Sequence, residues 1–286
     1  MKLINLVALA STAAGVAQAL DVRLMTYNIR QAVVIPTAGE RWWFLRRPLF
    51  RRQIQREVAG RDNSMLCFQE ALNSQVQDIQ SDLGREWTYI GVGRDDGVRG
   101  GEFSPIFYRP SSWRLLDSRT YWLSQNPDQV GSVGWDAALP RILTVGRFQH
   151  TQTGEPLVFM CTHFDHQGQV ARENSARLID SIAESWAQGS KVFVGGDFNV
   201  APGNPAYSIL ASELRDLRSV VPQGLQSGPA MTYTAFTASE SDDAQLDHLF
   251  VKDPAGVEWR GLATLSNTDN GVYISDHRAV VVDFTL

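Results

Sequence analysis

The chain is short of cysteine, of long apolar runs and of basic excess, and each shortage closes a class of function. Cys67 and Cys161 are its only cysteines, too few for a disulfide-built miniature fold or a four-thiolate zinc site. Both lie in short apolar runs, MLCF and VFMC, so two buried free thiols read as well as a bridge. The clustered histidine spacing of structural zinc and the His-Glu-x-x-His helix are missing too. Beyond residue 19 no apolar run is long enough to span a bilayer. The formal net charge of -5 argues against a protein that lives by non-specific attraction to phosphate backbones, although local charge can still serve a nucleic-acid enzyme. There is no N-x-Ser/Thr acceptor, no internal repeat and no Ser/Pro/Gly-rich linker, so residues 20–286 are expected to form one domain, monomeric, with a large core.

What is present begins with an export signature. Lys2, the apolar small residues from Leu3 to Ala19 and the small-x-small triplet Ala17-Gln18-Ala19 read as a signal peptide over residues 1–19. The mature protein is then expected outside the cell, starting at Leu20 or Asp21. An uncleaved anchor is the alternative, and the short apolar length disfavours it.

Strand and helix patterns alternate along the rest. Strands are expected at 22–27, 65–69, 88–92, 103–108, 113–119, 143–150, 156–162, 192–195, 246–252 and 279–284, with a further one near 261–264. Helices are expected at 48–59, 74–83, 170–186 and 206–212. Many short strands with a few helices suggest two packed sheets with helices outside. The arginines between Arg41 and Arg56 read as a solvated helix face.

The informative pattern is where the polar residues fall. Asn28 and Glu70 end strands. His163 and Asp165 follow VFMCT; Asp197 and Asn199 follow VFVGG; Asp247 opens LFV; Asp276 and His277 precede AVVVDF. Period-two alternation turns Asp197 and Asn199 to one side, while Gly195 and Gly196 leave room for a close approach to the backbone. Any one of these residues alone is most simply a polar turn. Six such places in one layout would gather carboxylates and imidazoles at one rim, as a hydrolytic metal site requires. The hard oxygen donors Glu70, Asp276 and the Asn28 amide suit Mg²⁺, with Mn²⁺ as a substitute. THFDH, with His163, Asp165 and His166, offers a transition-metal reading that ranks below acid–base work.

The ordered motifs LMTYNIR, CFQEAL, GEFSPIFYRP, FMCTHFDH, VGGDFNVAPGNP, LDHLFV and SDHRAVVVDF resemble those of the endonuclease/exonuclease/phosphatase superfamily over almost the whole mature chain. The resemblance implies an α/β four-layer sandwich: two packed, mostly antiparallel β-sheets flanked by helices, with the site at one edge. It also implies a Mg²⁺-dependent phosphoesterase in which Glu70 is the main metal ligand with Asn28 and Asp276 close by. Asp197 would activate the water, and Asn199 would hold a phosphate oxygen. His277, buttressed by Asp247, would stabilise developing charge. His163 would protonate the leaving oxygen, with Glu102 as its partner. Arg30 and Arg141 are expected to bind substrate phosphate, while Arg94, Arg99 and Trp135 are expected to border the pocket. Two departures stand out. Leu72 and Gly100 occupy places where pancreatic-type deoxyribonucleases carry groove-reading Arg and Tyr. The substrate is therefore expected to be a small or head-group phosphate ester rather than duplex DNA. A true DNA or RNA endonuclease and a catalytically silent binding protein are the alternatives.

Overall fold

The structure, a computed structural model, describes residues 19–239 and 243–286; all but the last residue of the expected signal peptide lies outside them. The first sheet has seven strands in the order Gln226–Ser227, Glu258–Thr264, Val280–Thr285, Asp21–Asn28, Ser64–Gln69, Ile106–Tyr108, Thr88–Ile90. The second has six, in the order Arg215–Asp216, Asp247–Val251, Lys191–Asp197, Pro156–His163, Ile142–His150, Trp113–Trp122. Each sheet carries a parallel pair near its middle, Asp21–Asn28 with Ser64–Gln69 and Pro156–His163 with Lys191–Asp197. All other neighbours except Gln226–Ser227 with Glu258–Thr264 run antiparallel.

Alternation within the strands makes the layers. Leu24, Met65 and Ile106 of the first sheet meet Phe159, Phe193 and Leu249 of the second in the central core. The opposite faces, with Met25, Leu66 and Phe107 on one side and Met160, Val192 and Val194 on the other, are covered by helices. The covering helices are α1 (Trp43–Val58) and α2 (Asn73–Leu83) over the first sheet, and α3 (Gln169–Ala187) and α4 (Pro205–Glu213) over the second. Burying both faces of a sheet explains why these strands read as near-continuous apolar runs rather than strict alternations. The four-layer α/β sandwich expected from the motifs is the fold.

One open alternative is decided and two local expectations are corrected. Cys67 and Cys161 lie on the two inner faces and form a disulfide, so the sheets are cross-linked at their centre. The expected 103–108 strand is broken: Glu102–Phe103 pairs with Ala71–Leu72, and only Ile106–Tyr108 joins the large sheet, with Pro105 between them. The first helix begins five residues before Pro48. Pro48 suggests a helix start because it suits the first turn, but Trp43 and Arg46 anchor an earlier turn through buried hydrogen bonds. Pro48 is tolerated on the exposed face.

Candidate active site

Parallel pairing decides where the site forms. Asn28 lies opposite Gln69, and Asp197 opposite His163, so both pairs finish at the same edge of the sandwich. Asp247 pairs with Asp197 at the start of its antiparallel strand. Asp276 and His277 precede Val280, whose partner is Thr26, which brings them to the same rim. Glu70, Arg30 and Asn199 follow strand ends with φ of 62°, 58° and 50°, a left-handed geometry uncommon for side-chain-bearing residues and characteristic of sharply turned functional loops.

Gly195 lets the sheets close at this edge. A Cβ there would lie 3.0 Å from Leu249 Cδ2 and 3.2 Å from Thr26 Cβ of the facing sheet. At Gly196 the close neighbour is the Thr162 carbonyl of the adjacent strand, 2.5 Å from a Cβ. The two glycines thus admit protein rather than ligand. The resulting proximity allows Asn28 Nδ2 to donate across the sheets to Asp197 Oδ2 at 2.9 Å, and also to Glu70 Oε1 at 3.0 Å.

A cleft of about 510 Å³ opens on this rim. It is lined by Arg30, Glu70, Glu102, Arg141, His163, His166, Asp197, Asn199, Tyr233, Asp276 and His277 among others, a size suited to a small ligand. Asn28 and Asp247 lie buried just behind it. All eleven site residues expected from the sequence therefore converge, but several roles change. Asn28 accepts Arg30 N–H on Oδ1 at 3.0 Å and turns its Nδ2 toward the two carboxylates. It bridges Glu70 and Asp197 rather than presenting an oxygen to a cation. Glu102 is taken by Arg94 Nη1 at 2.7 Å, while His163 Nδ1 lies 3.5 Å away with no hydrogen-bond partner. Arg30 is engaged by Glu40 at 3.1 Å. Arg94, Arg99 and Trp135 do not line the cleft; Arg94 is buried behind Glu102, and Arg99 is exposed. Arg141 is buried, with Nε 3.4 Å from Asp165 Oδ2 and Nη2 3.0 Å from His166 Nδ1. Its Nη1 is buried without a hydrogen-bond partner among the described residues, a donor left unsatisfied in a residue that lines the cleft.

The two imidazoles are differentiated. Burial and the neighbouring Arg141 push His163 down to about 3, so it is neutral near pH 7. Its Nε2 receives Asn199 Nδ2 at 3.1 Å, an orientation supported by the Asn199 Nδ2 bond to the Phe164 carbonyl at 3.1 Å. Burial also opposes charging of His277, but Asp247 and Asp197 overcome it and raise His277 well above its usual value. His277 Nδ1 donates to Asp247 Oδ2 at 2.7 Å. Near pH 7 the imidazolium of the site is therefore His277.

The carboxylates invite a cation. Burial and the charge of Glu70 push the Asp276 carboxyl up to about 6, against the attraction of His277 and Arg30. Burial and Glu102 also oppose ionisation of Glu70, yet the neighbouring His163 and the donors Gln31 N–H and Asn28 Nδ2 hold it below the usual range. A divalent ion between Glu70 and Asp276 would relieve this crowding, and two carboxylates completed by water and substrate oxygens suit Mg²⁺ or Mn²⁺. Asp197, Asp247 and His277 also bring ligand-type atoms within 4.8 Å of one another, but the short His277–Asp247 bond already occupies that group.

Arg46 is the residue sequence reasoning missed. It is fully buried and donates to the carbonyls of Arg41, Ile29, Ile274, Arg30 and Gln31 at 2.7–3.3 Å. It thereby ties the loop carrying Arg30 and Gln31 to the loop before Asp276. An Arg in an arginine-rich helix looks solvated, and nothing in the local pattern marks this one. A second cleft, of about 520 Å³, opens at the opposite edge beside Asp21, Asn63 and Asp283. It contains no histidine, and its Arg23 is held by Glu57 and Asp283.

Residues 25–277 match the model of the Endonuclease/Exonuclease/phosphatase family. Among solved structures, the chain is 32% identical to an endonuclease/exonuclease/phosphatase from Bacteroides vulgatus, covering 93% of this chain and 98% of that one with a TM-score of 0.84. A family protein from Bacteroides thetaiotaomicron is 30% identical, with coverages of 94% and 99% and a TM-score of 0.84. The mannosyl-6-phosphatase of the same organism is also 30% identical, with coverages of 93% and 100% and a TM-score of 0.82. No curated protein matches the chain.

Proposed function

Since the chain belongs to the endonuclease/exonuclease/phosphatase family, whose members hydrolyse phosphate esters, we propose that it is a secreted, Mg²⁺-dependent phosphoesterase acting on small or head-group phosphate esters. The observation that carries this reading is the mixed charge of the cleft. The carboxylates Glu70, Asp276 and Asp197 line it together with Arg141, His163 and Asn199, and Asp197 Oδ2 lies 3.5 Å from His163 Nε2. Such a cleft suits a phosphate bridging a cation and a guanidinium.

Glu70 and Asp276 would hold the cation, which when bound supplies Lewis-acid stabilisation of a phosphoryl oxygen. Asp197 is placed to accept a proton from the attacking water. The His277 imidazolium, fixed by Asp247, donates a hydrogen bond where negative charge grows. Arg141 holds a phosphate oxygen, while Asn199, whose amide hydrogens go to His163 and the Phe164 carbonyl, orients His163 rather than the phosphate. His163, neutral in the free cleft, takes up a proton when the substrate's negative charge enters beside it, and passes that proton to the leaving oxygen.

The substrate preference is supported by the places expected to read a DNA groove. Leu72 is spent in the short ladder opposite Glu102. Gly100 sits in a turn closed by Asp96, which caps the N–H groups of Val98, Arg99 and Gly100 at 2.7–2.8 Å. The likeness to a mannosyl-6-phosphatase favours sugar phosphates as the first monoesters to try. Export is supported by Leu20, buried and doubly paired with Leu286 at 3.1 and 3.0 Å, because cleavage after Ala19 would leave this anchored residue at the terminus. The test is a panel of phosphomonoesters and diesters with Mg²⁺ and Mn²⁺. Turnover should vanish in EDTA and fall at least ~10²-fold in Glu70→Ala and in His163→Ala. Unchanged turnover in either variant overturns the assignment.

A further inference from the structure

Five of the thirteen large apolar side chains exposed among the described residues crowd into one stretch: Val34, Ile35, Trp42, Phe44 and Leu45. Val34, Ile35 and Phe44 are 89%, 83% and 67% exposed. Single exposed apolar residues need no explanation, but a cluster does. This one is not a frayed loop. Glu40, buried beneath it, accepts Arg30 Nε at 3.1 Å, Thr37 N at 2.9 Å and Thr37 Oγ1 at 3.1 Å. Ala32 N is held by Gln75 Oε1 at 2.9 Å. Gly39, at φ 79°, seats against Phe236, whose carbonyl oxygen would lie 2.3 Å from a Cβ. Trp42 Nε1 donates to the Val34 carbonyl at 3.1 Å, and the Trp42 and Phe44 rings stack 6.1 Å apart. Hydrogen bonds point inward, and the apolar side chains are held outward.

The charge around the cluster identifies its partner. Residues 32–56 contain six arginines and one glutamate; Arg46 is buried, Arg47 pairs with Asp78 and Asp82, and Arg52 pairs with Asp269, which leaves the exposed Arg41 and Arg51 beside the apolar cluster without an acidic partner among the described residues. The glutamate is the buried Glu40, so no exposed acid interrupts the stretch. Phe44, Pro48, Arg51, Arg52 and Gln55 share the outward face of α1 by helical spacing and are all exposed. An aromatic and aliphatic wedge followed by arginines suits the lipid interface, where Trp and Phe enter the headgroup boundary and Arg meets lipid phosphates. A polysaccharide would use the aromatic pair but has no use for Val34, Ile35 and Leu45.

We propose that the 32–42 loop and the outer face of α1 dock the protein on an anionic lipid bilayer. Arg30 belongs both to the cleft and to the Glu40 anchor of this loop, so docking holds the catalytic cleft beside the lipid surface. Binding itself does not depend on the catalytic reading.

The experiment is co-sedimentation of the exported protein with vesicles of phosphatidylcholine, with and without phosphatidylglycerol, at low and high salt. The parent should partition onto the phosphatidylglycerol vesicles and be released as salt rises. Ile35→Ser with Phe44→Ser should bind at least ~10-fold more weakly. Arg41→Gln with Arg51→Gln should lose the preference for anionic lipid. Both variants should keep the parent's melting temperature and its turnover of a soluble ester. The proposal is overturned if the parent stays in solution at low salt or the apolar variant sediments like the parent. It is equally overturned if the patch instead supports a concentration-dependent dimer that the apolar variant abolishes without any vesicle binding. Vesicle binding in a protein with no esterase activity would strike the catalytic reading alone.

Discussion

Arg46 and Asp276 show how single residues set this site from behind its walls. Arg46 does not line the cleft, yet its five carbonyl contacts fix the loops that carry Arg30, Gln31 and Asp276. Gln31 N–H in turn holds Glu70 Oε2 at 3.0 Å. Arg46→Met should therefore weaken divalent-metal affinity by roughly 10–100-fold, the range for loss of groups that orient metal ligands. Titration calorimetry with Mn²⁺ measures this directly, and turnover should recover in part at raised metal. A purely structural role predicts a lower melting temperature with unchanged metal affinity. Asp276 adds a pH signature. Its folded pKa of about 6 stands above the ordinary 3.8, so the metal-free fold loses stability as pH rises from about 4 to 6. A cation binds the ionised form and must displace that proton below pH 6. The rise in melting temperature on adding Mn²⁺ should be larger at pH 7.5 than at pH 5. An equal rise at both values would remove Asp276 from the metal site. His277, raised well above 6.5, contributes stability that is full below 6.5 and is lost as pH climbs through its folded value, so further loss is expected on the alkaline side.

At the scale of elements, the central cross-link ties the sheet that supplies Asn28 and Glu70 to the sheet that supplies His163 and Asp197. Cys67 and Cys161 are 94 residues apart in sequence. Closing a loop of that length stabilises by about 4–5 kcal/mol in the chain-entropy model. Reduction should lower the melting temperature on the order of 10 °C for a chain of this size, and Cys67→Ala with Cys161→Ala should reproduce the shift. Melting that is indifferent to reductant would show the bridge to be energetically idle. The bridge also marks where sequence reading stops. Strand positions were legible because their apolar runs are continuous, and the polar residues at their ends named the rim. Pairing of Cys67 with Cys161 was not legible, because it depends on which faces of two sheets meet, and that is a long-range fact. Arg46 was hidden for the same reason: its acceptors come from residues 29–31, 41 and 274, and only packing brings them together. The change of Glu102's partner from His163 to Arg94 likewise needed the 93–101 turn, whose shape is set by Asp96 and by glycines no periodicity describes.

For the whole molecule, the distribution of charge decides what the catalytic edge can receive. The chain carries a net charge of -5, and the cleft concentrates Glu70, Glu102, Asp197 and Asp276 against Arg30 and Arg141. A long polyanion would have to lie across this acidic rim. The arginines on the outward face of α1 belong to a separate surface. A duplex-binding enzyme that neutralises several phosphates loses affinity steeply with salt, by about 10³–10⁵ between 50 and 200 mM for six to ten contacts. A small ester held by one guanidinium and one cation releases few counterions. Its kcat/KM at saturating Mg²⁺ should therefore change by less than about tenfold over that salt range. Supercoiled plasmid should remain un-nicked under conditions in which the small ester is turned over. Rapid nicking that falls away steeply with added salt would reverse the substrate assignment while leaving Glu70, His163 and His277 in their roles.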